Sequence, residues 1–319
     1  MMTTTNRKNI YTIGFYNVEN LFDTVDNPNT ADDEYLPTSR RRWTRKKYNQ
    51  KVTKLSSVIS QLGDNLSKHK PAIVGLVEVE NSKVVHDLIT NKNLVQHNYG
   101  YVHYDSPDER GIDVALIYNR DFFEVYSSKT YALELEDEEG NPDYTRDLLR
   151  VSGSLNGELV HVLVNHWSSR RDGEEETRPK RIKAAQLVHT AIEEIKAEID
   201  DPKIIIMGDF NDDPISESVK THLVTEDFFN PMESLFDKGL GTLTFNGNWN
   251  LFDQIIFSKN FLTQESEKHS FMYAEVFNKE WLTIFKGKLK GSPFRTYIGP
   301  WYKGGFSDHF PVYSFLKKN

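Results

Sequence analysis

Lys203-Ile204-Ile205-Ile206-Met207-Gly208-Asp209-Phe210-Asn211 decides how this chain is read. Ile204 to Met207 is a short apolar run rich in β-branched residues, the pattern of a buried strand. Gly208 is expected to end that strand and let the backbone turn. Asp209 and Asn211 are two residues apart, so on extended backbone they face the same way. One is an anionic acceptor and the other both donates and accepts. Such a pair could hold a water between an acid and a phosphate. Asn211-Asp212-Asp213-Pro214 is also good turn chemistry, so this stretch alone leaves both readings open.

The bulk numbers fit a large soluble globule. The chain has 319 residues, 38% hydrophobic and 27% charged, enough to bury a sizeable core. We expect one domain over residues 1–319, with its working core at about 10–316. No apolar run is long enough to span a membrane as a helix. The net charge of −8 argues against a whole-surface nucleic-acid binder and leaves local patches open. There are no cysteines, which excludes disulfides, thiolate zinc sites and cysteine nucleophiles. The polar start, Met1 to Asn9, has no apolar signal core. That gives a cytoplasmic expectation, or an exported one if the doubled methionine replaces a removed signal.

Outward from the central stretch, strands dominate. Ile10 to Val18 reads as a first strand running into Asn17-Val18-Glu19-Asn20. Arg40, Arg41, Arg42, Arg45, Lys46, Lys47, Lys51 and Lys54 follow with no acid among them. From Tyr48 the positions Val52, Leu55, Val58, Ile59 and Leu62 fit one helical face. Ile73 to Val77 is a second buried strand, delivering Glu78 at its end. Residues 100–132 read as a β-meander. Leu148 to Leu155 and Leu159 to Val164 form a hairpin about Asn156-Gly157, and its second strand ends in Asn165-His166-Trp167. Arg170 to Thr177 reads as a charged loop before a long helix, with Thr177 as cap, Pro179 in the first turn and Ile182 to Ile199 as its stripe. Glu134 to Glu139 reads as a solvated acidic turn. Leu243 to Trp249 and Gln254 to Phe257 read as strands, with Asp253 just before the second. Residues 279–303 hold six basic and six aromatic residues and one acid. Ser307-Asp308-His309 leads into a closing strand. The pattern implies α/β (α+β) architecture, two packed sheets flanked by helices.

The polar residues at strand ends form one set: Asn17, Glu78, Asn165, His166, Asp209, Asn211, Asp253, Asp308 and His309. This set resembles the endonuclease/exonuclease/phosphatase superfamily, the group of DNase I and the inositol-polyphosphate 5-phosphatases. The resemblance spans Phe15 to Val312. It rests on Tyr16-Asn17-Val18-Glu19-Asn20, Leu76-Val77-Glu78, Asn165-His166-Trp167, Gly208-Asp209-Phe210-Asn211 and Ser307-Asp308-His309, in that order, with Asp253-Gln254-Ile255 before the last. Within the superfamily, Asn17 to Phe22, Arg110 to Ala115, and Asn165-His166-Trp167 with Arg178, Arg181 and Ala185 are most similar to a bacterial branch labelled predicted nuclease.

The resemblance implies a four-layer α-β-β-α sandwich of DNase I type and a Mg²⁺- or Mn²⁺-dependent phosphoesterase. Glu78 would be the main metal carboxylate, helped by Asn17 and Asp308, with Glu19 a further acid. These are the hard oxygen donors such ions prefer. Asp209 would orient and deprotonate the attacking water, with Asn211 holding it. His309 would contact the phosphate or act as base, oriented by Asp253. His166 would donate to the phosphoryl oxygens. Asn165, Arg110, Arg170 and Arg181 are candidate substrate contacts; these arginines, with Arg178 and Asp113, could equally be surface pairs. The expected substrate is a phosphodiester, DNA or RNA, handled by a monomer; the basic stretches at 40–54 and 279–303 favour a polyanion. The rival readings are the same chemistry on a small or lipid phosphate, and a non-catalytic binding domain on the same fold.

Overall fold

The computed structural model describes residues 6–137, 139–245 and 247–319. Twelve strands build two six-stranded sheets. In chain order they are β1 (Ile10–Leu21), β2 (Ile73–Val79), β3 (Tyr99–His103), β4 (Asp113–Asn119), β5 (Phe123–Tyr131), β6 (Leu148–Leu155), β7 (Glu158–His166), β8 (Ile204–Asp209), β9 (Phe228–Phe229), β10 (Asp253–Ser258), β11 (His269–Val276) and β12 (Val312–Lys318). The first sheet has the order β11-β12-β1-β2-β4-β3 and the second β9-β10-β8-β7-β6-β5. Helices α1 (Arg45–Ile59) and α2 (Ser82–Ile89) lie by the first sheet. Helix α3 (Glu174–Glu198) lies by the second. This is the expected four-layer α-β-β-α sandwich.

Period-two alternation sorts the strand residues between layers. Ile13 and Phe15 of β1, Val162 and Val164 of β7, Ile205 and Met207 of β8, and Ile255 and Phe257 of β10 share the core that includes both sheets. Leu163, Ile204, Ile206 and Ile256 instead share a second core with Ala184, Ala185, Val188, Ile192 and Ile195 of α3. β1 and β2 are parallel, as are β7 and β8. Their carboxyl ends therefore open at one edge of the sandwich.

Several expectations are corrected. The span 100–132 is not a meander: β3 pairs with β4 in one sheet, and β5 crosses to β6 in the other. Gly208 does not end its strand; it lies inside β8. A Cβ there would meet the Asn165 carbonyl oxygen at 2.6 Å, so close approach to β7, not turning, is the reason for glycine. α3 begins at Glu174 after Gly173, so Thr177 and Pro179 lie inside it. The Thr177 hydroxyl donates to the Gly173 carbonyl rather than capping. Ile199 is already extended, beyond the last turn. Leu243 to Trp249 is a small hairpin, Leu243–Phe245 against Asn248–Asn250, with residue 246 outside the described residues. Residues 1–5 of the polar start and Glu138 of the acidic turn also lie outside them. The hairpin at Asn156-Gly157 forms as read, with both residues at positive φ. Among the described residues, no helix is long and apolar enough to cross a membrane.

Gly208→Ala forces β7 and β8 apart against a backbone atom. We expect a loss of about 1–3 kcal/mol, read as a lower urea midpoint at unchanged slope. An unchanged midpoint would show that the strand pair yields freely.

Candidate active site

The inter-sheet alternation carries past the apolar residues to polar ones at the open edge. Ile13-Phe15-Asn17, Val162-Val164-His166 and Ile205-Met207-Asp209 each place their third member there. Register sets His166 and Asp253 directly beside Asp209 on the two neighbouring strands. All four side chains are buried.

Asp209 sits at the centre. Its Oδ2 accepts from Asn17 Nδ2 at 3.0 Å, and its Oδ1 accepts from the Asn211 backbone N–H at 3.0 Å. His166 Nε2 and His309 Nε2 each stand 3.9 Å from Oδ2. Burial pushes the Asp209 carboxyl up to about 7, against the pull of His309. His309 reaches this point from the approach to β12. Its Nδ1 is 2.6 Å from Asp253 Oδ2. Burial opposes a charge on His309, but Asp253, Asp209 and Asp308 outweigh it and raise its pKa well above the ordinary value. His166 is the opposite case. Burial, with Arg146, Arg110 and His309 nearby, holds its pKa well below the ordinary range, and its Nδ1 has no partner among the described residues. Two imidazoles of unlike character thus flank one carboxylate.

Glu78 enters by a different route. Gly75 of β2 faces Met207 across the sheets, so strict alternation would send Glu78 to the helix side. Instead the pairing slips between Val77 and Val79 against both neighbours, and Glu78 takes φ +65°. Its Oε2 accepts from Asn20 N–H at 2.7 Å, its Oε1 lies 3.4 Å from Asn17 Nδ2 and 3.9 Å from His166 Nε2. Glu19, Asn20 and Asn211 also have positive φ near 50°. Left-handed non-glycine residues are uncommon and mark functional sites. Four of them surround this one.

The structure brings Asn17, Glu78, His166, Asp209, Asp253 and His309 together. Asn211 and Asp308 adjoin this group, through the Asn211 N–H on Asp209 and through the charge of Asp308 on His309, but their side chains are engaged elsewhere, and the other candidates lie apart. The Asn211 amide does not run parallel to Asp209, because the backbone leaves the strand; its Nδ2 donates to the Trp167 carbonyl at 3.0 Å. Asn165 lies on the α3 side of β7, with Trp167 Nε1 donating to its Oδ1 at 3.2 Å, so it does not reach the mouth. Asp308 pairs with Arg295 Nη2 at 2.6 Å rather than with Glu78. Arg181 is fully buried, giving Nε to Asp212 Oδ2 at 2.7 Å and its other nitrogens to Thr177 and Glu174. Arg170 takes the other Asp212 oxygen and the Asn211 carbonyl. Both arginines clamp the turn after Asn211; a substrate contact for Arg181 is corrected. Arg178 pairs with Glu175 and Glu217 on the surface, and Asp113 is 3.1 Å from His103. Arg110 is exposed at the rim, donating to Asn20 Oδ1 at 2.6 Å.

Sequence reasoning missed Ser307 as a stitch, with Oγ donating to the Asn17 carbonyl and accepting the His309 N–H. It also missed Lys51, buried against the Glu19 carbonyl and Thr296 Oγ1. A signal existed: Lys51 and Arg181 occupy core-facing stripe positions of their helices.

The donor set fits a hard divalent ion. Glu78 is a carboxylate oxygen donor held from behind by Asn20 and Asn17. Few protein oxygens accompany it, which suits Mg²⁺ or Mn²⁺. Asn17 offers its amide nitrogen to both carboxylates, while its Oδ1 accepts the Glu19 N–H. Asp209, Asp253 and His309 also converge within ion-binding reach.

Residues 12–318 match the Endonuclease/Exonuclease/phosphatase family. The chain belongs to this family. As a member, it is a metal-dependent phosphoesterase. No curated protein matches it in sequence. The family's fold is seen in three similar solved structures. D. rerio TDP2 complexed with single strand DNA product is 15% identical with TM-score 0.56, covering 97% of this chain and 99% of that one. A Bacteroides vulgatus endonuclease/exonuclease/phosphatase is 18% identical with TM-score 0.58, covering 98% and 100%. A Bacteroides thetaiotaomicron mannosyl-6-phosphatase is 17% identical with TM-score 0.57, covering 96% and 99%.

A carboxyl whose folded pKa is raised destabilises the fold as pH climbs from its unfolded value toward about 7, because the unfolded chain releases the proton first. Asp209→Asn is therefore expected to raise stability in EDTA at pH 8 by on the order of 4 kcal/mol at most, read as a higher melting temperature. The gain should fade as pH falls toward 4. A gain that does not vary with pH would show that the carboxyl is not desolvated.

Proposed function

We propose that the chain hydrolyses phosphodiester bonds, with nucleic acid as substrate, by in-line attack of water. The observation that carries this reading is geometric: Asn17, Glu78, His166, Asp253 and His309 converge on Asp209, with both imidazole Nε2 atoms 3.9 Å from its Oδ2, where burial pushes the carboxyl up to about 7. A general base works best with its pKa near the operating pH. Asp209 takes the proton of the attacking water. His309, kept charged and oriented by Asp253, binds a non-bridging phosphate oxygen. His166, neutral, donates from Nε2 to another phosphoryl oxygen. Asn17 holds Asp209 in place through its amide. The phosphorus–oxygen bond to the leaving group breaks opposite the water. A divalent ion held by Glu78, with Asn17 beside it, would neutralise the phosphate and stabilise the leaving oxygen. Arg170 and Arg181 position the Asn211–Asp213 turn through Asp212 rather than touch substrate.

Two observations support a polynucleotide. The basic stretch at 40–54 packs on the basic-aromatic segment at 279–303, through Lys51 to Thr296 and Arg41 over the Tyr297 ring. That segment reaches the site through Arg295 and Asp308. The TDP2 likeness adds a relative of this fold holding single-stranded DNA product. A sugar-phosphate monoester is the second reading, favoured by the mannosyl-6-phosphatase likeness and the net charge of −8.

The test is hydrolysis with Mg²⁺ or Mn²⁺, with and without EDTA. Substrates are plasmid DNA, single-stranded oligonucleotide, RNA, an inositol polyphosphate, a hexose phosphate and bis-p-nitrophenyl phosphate. Nucleic-acid cleavage that needs metal is expected, with Asp209→Asn and His309→Ala lowering kcat by roughly 10²–10⁴-fold. Turnover confined to monoesters would replace the nuclease reading with the phosphatase one.

A further inference from the structure

An open trough of about 840 Å³ lies between α1 and the segment 302–304, a few residues along the chain from Ser307-Asp308-His309. Lys46, Lys54 and Lys303 line it with Asn49, Gln50 and Thr53, and no carboxylate is among its lining residues. The α1 residues follow helical spacing, so one face of the helix forms the wall. Lys47 adds a further ammonium, 4.5 Å from the centre of the Tyr302 ring. Lys47 and Lys54 are held by the Arg41 and Gly304 carbonyls, not by acids. In a chain of net charge −8, lysines without acid partners among the described residues on one concave face favour an anion there.

The trough is joined to the catalytic mouth through a short length of chain. Its far wall, Gly304, is followed by Gly305, where a Cβ would strike the Phe294 carbonyl. The backbone then runs directly into Ser307, Asp308 and His309. The five steps from Gly304 to His309 span at most about 18 Å, a reach of a few nucleotides. Lysines give phosphates charge without sequence readout, while amides and hydroxyls can hydrogen-bond to sugar and phosphate.

We propose that this lysine-lined trough is a backbone subsite for a single nucleic-acid strand, gripping phosphates a few nucleotides from the scissile bond. The proposal rests on the nuclease reading above and names where its substrate is held. A concave wall of lysine, amide and hydroxyl groups fits a threaded strand better than a lipid surface.

The experiment compares the intact protein with Lys46→Glu/Lys303→Glu and with Lys46→Arg/Lys303→Arg. Both positions are exposed, so the fold is not at stake. Steady-state rates are measured on a long single-stranded oligonucleotide and on bis-p-nitrophenyl phosphate across a salt series. Binding to vesicles of phosphatidylserine and phosphatidylcholine is measured in parallel. The charge reversal is expected to raise KM for the oligonucleotide by about tenfold. The preference for oligonucleotide over the small diester should fall by the same factor. The slope of log KM against log salt should drop by about 1 to 2. The arginine pair should keep the parent slope. Parent-like KM and slope in the charge-reversed variant, with oligonucleotide still cleaved, would overturn the subsite and leave the nuclease reading standing. Failure of the parent protein to cleave any oligonucleotide, with turnover of the small ester intact, would overturn the nuclease reading and the subsite with it. Vesicle binding lost on charge reversal, without a change in oligonucleotide KM, would assign the trough to a membrane surface instead.

Discussion

The buried charge at Asp209 is what the surrounding structure has to accommodate. Strand alternation leaves no choice about where it goes. Ile205 and Met207 fill the space between the sheets, so the next residue of the same parity must stand in their line at the edge. A carboxylate there loses water, and an unpaired one would be strongly disfavoured. The fold offsets this with two N–H donors, from Asn17 and Asn211, and with the cationic imidazole of His309. The offset is incomplete, and burial leaves the carboxyl's pKa raised. A fully satisfied aspartate would be more stable and a poorer base.

That one requirement propagates outward. His309 needs Asp253 to stay charged, and Asp253 reaches it because antiparallel β10 begins where parallel β8 ends. Asn17 needs its own oxygen occupied, which the Glu19 N–H does only because Glu19 and Asn20 adopt left-handed backbone. The same bend aims the Asn20 N–H at Glu78. The strain at β1, β2 and Asn211, roughly 1–3 kcal/mol per residue, is therefore part of the site's construction. It sets polar groups at positions that regular strands cannot reach.

Much of this was legible in the sequence. The apolar runs located the strands, and the polar residues after them located the mouth, because strand ends in layered sheets converge. What escaped depended on neighbours far along the chain. Asn165 and His166 are adjacent and both polar. Nothing local says which faces the second sheet and which faces α3. Asn211 was assigned to Asp209's side by alternation, and the left-handed turn at Asn211 broke that rule. Arg170 and Arg181 fit either surface pairs or a phosphate path in the sequence, and Asp212 reads there as an ordinary turn residue rather than as their buried partner. The move of β5 to the second sheet was hidden behind a short loop that fits a meander equally well. By contrast, charges at core-facing positions of α1 and α3 were visible and could have been read as internal clamps.

Lys51 shows how such a clamp fixes the wider surface. Its ammonium is enclosed between the ends of β1, the face of α1 and the segment carrying Thr296. Burial lowers its pKa, while Glu19, Asp308 and Glu78 raise it. Removing it would leave the buried Glu19 carboxylate with only Arg295 and the Thr296 N–H, a loss of about 3–5 kcal/mol for a broken buried pair. The ends of these three elements consequently cannot drift independently. Arg295 extends the tie to Asp308, next to His309. The lysines on the outer face of α1 are thus tied to the strand ends that carry Asn17 and His309 by a buried ion pair.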